Sequence, residues 1–127
     1  MTDGRTEPAW TAHTDTFVRD RLPPAKAQPV FLFDIDAVRY PDALNCGVEL
    51  IDRAIERGWG ERRAILTDAG VWTYARLKQT SDRYAQVLTE DLGLVPGGRV
   101  LLRAPNGAEL IALWLAVLKA GGVVVTT

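Results

Sequence analysis

The sequence predicts an α/β fold: a small, mostly parallel sheet with flanking helices, plus a β-hairpin. Three features point that way. Apolar stripes at helical spacing alternate with short apolar runs of strand length. Two of those runs, 99–104 (RVLLRA) and 123–125 (VVV), have continuous apolar centres, as expected of parallel strands buried on both faces. Between them, 110–118 (LIALWLAVL) contains no polar residue, which predicts a crossover helix covered on the sheet side and again on its other side. With 127 residues, 47% of them hydrophobic and 24% charged, there is room for one globular unit of modest stability.

Residues 1–42 read as an N-terminal arm, because Pro8, Pro23, Pro24, Pro29 and Pro41 leave space only for short elements. Within it, 15–22 (DTFVRDRL) is expected to make about two helical turns carrying Phe17, Val18 and Leu22 until Pro23 and Pro24 end them. The run 30–35 (VFLFDI) is expected to be extended and to lay Phe31 and Phe33 on the body of the protein.

Residues 43–127 form the α/β unit. Val48, Ile51 and Ile55, with Leu50 and Ala54 alongside, mark a first helix; Glu49 and Arg53 sit one turn apart on its other side. Asn45 is its expected N-cap, and Gly58 or Gly60 lies past its end. Then 63–67 (RAILT), a turn containing Gly70, and 71–73 (VWT) read as a hairpin. Thr73 caps a second helix whose stripe is Leu77, Ser81, Tyr84 and Leu88, widened by Ala85 and Leu92. Gly93 suits the left-handed C′ position, with Leu94 packing back and Pro96 and Gly97 making a turn. After the strand at 99–104, Asn106 followed by Glu109 reads as a capping box for the third helix. Lys119, Ala120, Gly121 and Gly122 superficially resemble a phosphate loop. They stand at the carbonyl pole of a helix, which repels phosphate, and so read as a C-cap.

Composition excludes several functions. Fifteen basic against sixteen acidic residues give a formal charge of −1, against capture of nucleic acid or an anionic membrane. The basic–aromatic group of Arg53, Arg57, Arg62 and Arg63 near Trp59 and Trp72 is interleaved with Glu49, Asp52, Glu56, Glu61 and Asp68, which cancel its field. A single cysteine and a single histidine rule out a disulfide scaffold and a Cys/His zinc module. Cys46, without a histidine near it in sequence, is expected to be a buried small residue, and His13 a solvated residue of the arm. Asp36, Asp42, Asp52, Glu56, Asp82, Glu90 and Asp91 are scattered, and no Walker or dinucleotide glycine pattern occurs. The apolar run from Leu110 onward is too short for a bilayer and is broken by Lys119 and the two glycines. No apolar leader region precedes Ala12, so the cytoplasm is the expected compartment. No catalytic, cofactor-binding or metal-ligating residue is therefore expected in this chain.

Two segments carry more than propensity. Residues 72–77 (WTYARL) resemble the first core motif of adenylate-forming enzymes, L-[TS]-Y-x-E-L, and 118–125 (LKAGGVVV) resemble the second, L-K-A-G-x-x-x-V-P; 93–106 lie where that superfamily has G-x-x-x-G-D-x-V-x-x-x-x-x-N. The arm segments 11–24, 31–34 and 40–53 resemble the start of 2-aminobenzoate–CoA ligases in the benzoate–CoA ligase group. The resemblance implies a parent enzyme that uses ATP and Mg to turn an aromatic carboxylate into an acyl-adenylate, then transfers the acyl group to CoA. It also implies that the family's phosphate loop, Mg–ATP residues, ribose Asp and mobile Lys lie beyond Thr127. The expectation is an N-terminal fragment, inactive by itself, that binds no cofactor. Its partner would be the remainder of the parent chain, with self-association through exposed apolar faces left open and neither nucleic acid nor membrane involved. Two alternatives stand beside it: a stand-alone α/β interaction module, and the start of an adenylation domain that loads a carrier protein. Arg76 replaces the Glu of the first motif, which removes the return half of a capping box and places a cation at the positive helix pole. Arg99 replaces the Asp of G-D-x-V and reads as a surface change; Thr126 stands where Pro is common.

Overall fold

The computed structural model describes residues 11–30, 35–41 and 43–127. Two small sheets share a layer of helices, in agreement with the α/β expectation. The strands β1 (Arg63–Thr67) and β2 (Gly70–Thr73) form an antiparallel hairpin, and β3 (Arg99–Leu102) and β4 (Val123–Thr126) form a parallel pair. Asp68 and Ala69 make the hairpin turn, Gly70 opens β2 at φ 129°, and the ladder shifts register between Arg63 and Ile65, a bulge at Ala64.

The helix α1 (Arg53–Glu56) continues from a π-helical segment, Val48–Asp52. Asn45 caps it as expected: its Oδ1 accepts from the amides of Gly47 and Val48, while its Nδ2 donates to the carbonyls of Leu118 and Lys119. One side chain thus closes the start of one helix and the end of another. Gly58, at φ 76°, ends α1 in a Schellman motif, with Gly58 N–H donating to Ile55 and Trp59 N–H to Ala54. Ile51 and Ala54 are buried as the stripe requires and Ile55 is half-buried, but Val48 and Leu50 are exposed, because the wider π turn rotates them out of line with the α-helical rows.

The helix α2 (Tyr74–Gln86) runs on as a second π-helical segment, Val87–Asp91. Thr73 Oγ1 accepts from Arg76 N–H at 3.2 Å, so the cap survives the loss of the motif's Glu. Leu77, Ser81 and Leu88 are buried on the expected stripe, whereas Leu92 is exposed. The π turn explains both the exposure and the exit: Gly93 is left-handed at φ 65°, and Leu94 N–H reaches back to the Leu88 carbonyl, one residue farther than a Schellman closure.

The third helix, α3 (Ala108–Lys119), lies against α2 and both strands of the parallel pair. Its N-cap is Gly107, not Asn106, and no side chain caps it; the helix begins one residue later than the capping-box pattern predicts. Ala112, Leu115, Ala116 and Val117 are buried, and the small residues let α2 approach closely. The helix is not covered all round: Ile111 and Trp114 are partly exposed. The same holds for the sheet. Val100, Leu102 and Val124 pack against α3, but Leu101 is 63% exposed and its cross-strand partner Val125 40%, so the other face of the parallel pair is open. The predicted burial on both faces is not met among the described residues. Gly121 at φ 76° closes α3, with Gly121 N–H on Leu118 and Gly122 N–H on Val117, the C-cap expected of this segment.

Residues 15–22 do not form two α-helical turns. A single 3₁₀ turn, Arg19–Arg21, is present, with Val18 and Leu22 flanking it. Pro23 and Pro24 leave too few residues to pay the nucleation cost of an α-helix. The extended run proposed for 30–35 lies largely outside the described residues, as do Phe31 and Phe33.

Candidate functional site

The carboxylates that looked scattered are in part gathered. Asp52 ends the π-helical segment before α1, Lys78 and Asp82 stand one turn apart on α2, and Lys119 ends α3. Lys78 Nζ lies 3.1 Å from Asp52 Oδ1 and 2.5 Å from Asp82 Oδ2. Lys119 Nζ lies 2.7 Å from Asp52 Oδ2 and also pairs with Asp82 Oδ1. The four groups alternate in sign around a closed ring, with Lys119 the most enclosed at 11% side-chain exposure. Asp52 Oδ2 is fully buried and makes no well-aligned hydrogen bond, so its compensation is the Lys119 charge itself. Burial pushes the Asp82 carboxyl up, but Lys119 and Lys78 outweigh it and hold it below the usual carboxylate range. The hydrogen bond to Asp82 raises the Lys78 ammonium against its desolvation. The Lys78–Asp82 pair stands at i and i+4 on one helix, a spacing that the reading of Asp82 as a scattered carboxylate passed over. The ring is electrically balanced, leaving no free base or nucleophile; its chemistry is to fasten three helices at the second core motif.

A cavity of about 410 Å³ lies between 12–13, 43–46 and the end of α3, lined mainly by apolar atoms of Ala12, Ala43, Leu44, Leu118 and Gly121. Cys46 opens onto it and is exposed, not buried as expected. In the first turn of the helix the residue that faces α3 is Gly47, which leaves the preceding side chain pointing to the cavity side. His13, expected to be solvated, is half-buried in the cavity wall. Among the described residues no group of three His, Cys, Asp or Glu side chains could hold a metal, and no helix is long and apolar enough to cross a membrane.

The arginines near the tryptophans stack on them. Arg57 and Arg62 lie 5.6 and 4.9 Å from the Trp59 ring, and Arg76 4.1 Å from that of Trp72. Arg76 therefore has a partner in place of the capping bond its motif position would otherwise make. Arg53 is engaged by Glu49 and Glu56. Arg99 is no idle surface change: it pairs with Asp15 at 2.6 Å and lies 4.2 Å from the Phe17 ring.

The model of the AMP-binding enzyme family matches residues 52–127, the stretch from the ion-pair ring through β4. The chain belongs to the AMP-binding enzyme family. Relatives include the benzoate–CoA ligase of Thauera aromatica, 34% identical over 88 residues, which are 69% of this chain and 16% of that protein. A salicyl-AMP ligase / salicyl-S-ArCP synthetase of Mycobacterium tuberculosis is 41% identical over 73 residues, 53% of this chain and 13% of the relative. A long-chain-fatty-acid–CoA ligase of Salmonella typhimurium is 33% identical over 92 residues, 72% of this chain and 16% of the relative. The crystal structure of apo MatB from Rhodopseudomonas palustris superposes with a TM-score of 0.58 at 33% identity, covering 65% of this chain and 16% of that one. The chain thus spans about a sixth of the length of these AMP-binding relatives. Both core motifs lie within the family match, the first starting α2 and the second joining α3 to β4.

Proposed function

We propose that this chain is the N-terminal part of an ATP-dependent aryl–CoA ligase acting on 2-aminobenzoate or benzoate, with 1–42 as an arm and 43–127 as the first α/β unit of its large domain. The parent enzyme would join the carboxylate to AMP with release of pyrophosphate, and the CoA thiol would then displace AMP to give the thioester. The observation that carries this reading is the 34% identity to benzoate–CoA ligase over 69% of the chain. The uncovered Leu101–Val125 face and the partly exposed Ile111 and Trp114 support a partner in the remainder of the parent chain. Charge balance supports a protein that engages neither nucleic acid nor an anionic membrane, and the compartment we propose is the cytoplasm. ATP, Mg and CoA would be held by parts of the parent other than these residues, and the chain alone would be inactive, since its clustered charges are already neutralised.

A second reading, an adenylation domain that loads a carrier protein, is favoured by the 41% identity to the salicyl-AMP ligase / salicyl-S-ArCP synthetase. ATP–pyrophosphate exchange tests both. The isolated chain with ATP, Mg²⁺ and 2-aminobenzoate is expected to give none, and exchange would overturn its silence. A longer product of the same reading frame is expected to exchange with aromatic acids and to form an aryl–CoA. Preference for long-chain fatty acids would overturn the aryl reading, and transfer to a carrier protein but not to CoA would favour the second. A reading frame ending at Thr127, with a monodisperse product, would favour a stand-alone interaction module.

A further inference from the structure

Residues 13–21 are fastened to the turn before β3 by contacts that span most of the sequence. The amides of Thr14 and Asp15 both donate to the Pro96 carbonyl at 2.9 Å, and the Thr14 hydroxyl joins them at 3.2 Å. Asp15 divides its carboxylate: Oδ1 accepts from the Phe17 amide, and Oδ2 takes the Arg99 guanidinium at 2.6 Å. The Phe17 ring is flanked by Arg21 at 3.7 Å and Arg99 at 4.2 Å. Gly97 makes the approach feasible, since a Cβ there would collide with the Asp15 carbonyl, and its own amide donates to Gly121 at the end of α3. This fastened segment carries His13, which with Ala12 lines the cavity onto which Cys46 opens.

We infer that residues 12–21 form a latched strap, held by Arg99 and Pro96, that sets Ala12 and His13 as one wall of the cavity onto which Cys46 opens and widens that cavity when the latch opens. The observation is independent of the ligase reading and holds whichever acid the parent enzyme uses. Each element of the latch is a short-range, surface contact, so the strap can release while the core stays folded. Arg99 stands where the motif pattern quoted above has Asp. An Asp in its place, as in the G-D-x-V pattern, would face Asp15 with like charge and lose the ring contact.

Amide hydrogen exchange and thiol labelling test the latch directly. Arg99→Asp is expected to speed exchange at the Thr14 and Asp15 amides by about fivefold to tenfold or more, the loss of one ion pair and one cation–π contact. The Gly122 amide, bonded to Val117 within the core, is expected to hold its rate. Phe17→Ala, which leaves every charge in place, is expected to act in the same direction. In both variants Cys46, the chain's sole thiol, is expected to react faster with a polyethylene-glycol maleimide. Unchanged exchange at Thr14 and Asp15 would overturn the latch. So would an equal rise at Gly122, which would mean global opening. Faster exchange without faster Cys46 labelling by this bulky reagent would overturn the wall that the strap supplies to the cavity.

Discussion

Gly47→Ala should destabilise this protein, although in most helices the same change stabilises. Gly47 has ordinary helical angles, φ −65° and ψ −43°, so Ala gains about 1 kcal/mol from propensity alone. Against this, a Cβ at Gly47 would lie 2.5 Å from Lys119 Cγ, 3.0 Å from the Leu115 carbonyl oxygen and 3.1 Å from Lys119 N. Two of those neighbours are backbone of α3 and cannot step aside. The third belongs to a side chain tethered at its far end by Asp52 and Asp82, so moving it strains the ion-pair ring. Overpacking of this kind costs about 1–3 kcal/mol, and with helix separation or loss of the ring the net is a destabilisation of about 1–2 kcal/mol. Gly60→Ala is the control, because its Cβ would meet only Ala75 and Ile55 carbons at 3.8 and 3.9 Å; it should stay within about 0.5 kcal/mol. Urea unfolding followed by tryptophan fluorescence reads both, at constant slope. A midpoint for Gly47→Ala equal to or above that of the parent chain would refute the close approach of the first helix to α3.

Three further outcomes follow from the charged groups. Lys119→Met removes the more enclosed cation of the ring and leaves Lys78 alone to offset both Asp52 and Asp82; discounted for the partial exposure of those carboxylates, the loss in urea stability should be about 2 kcal/mol. Because the Asp82 carboxyl is held below its unfolded value, its contribution is full above that value and is lost as pH falls through the folded one. Urea midpoints measured from about pH 6 down to 3 should fall, and should fall less steeply in Asp82→Asn. Arg76→Glu restores the capping box and a favourable charge at the helix start, worth about 0.5–1 kcal/mol, but forfeits a cation–π contact with Trp72 of similar size. Thermal unfolding should therefore show a net change within about 0.5 kcal/mol; a gain well above 1 would mean the Trp72 contact contributes nothing.

The architecture was largely legible because its signals are local. Asn45, Thr73, Gly93 and Gly121 punctuate helices where their side chains or their lack of one dictate, and the hairpin and the parallel pair follow from apolar runs bounded by turns. What was misread shares a cause. Leu50 and Leu92 satisfy an α-helical stripe on paper, but the first lies within a π turn and the second directly follows one, each shifting the phase of the helix, and nothing in residue type announces that shift. Leu101 and Ile111 belong to apolar runs whose hydrophobicity states what an environment should be, not whether the described residues supply it. The ion-pair ring was beyond reach for another reason: Asp52 and Lys119 come from elements far apart in sequence, and charges of four residues among thirty-one give no pattern until the helices are packed. Arg99 is the plainest case, since its two partners lie in a segment whose composition reads only as an arm.

The contact between Asp15 and Arg99 joins residues 84 positions apart. A loop that long carries a closure cost that a few surface contacts cannot meet in an unfolded chain, so the latch must await the docking of α2 and α3. In folding-rate terms it is a late contact, absent from the transition state. Its strength should be written almost entirely in how slowly the native protein lets go of residues 13–21, and hardly at all in how fast the chain folds.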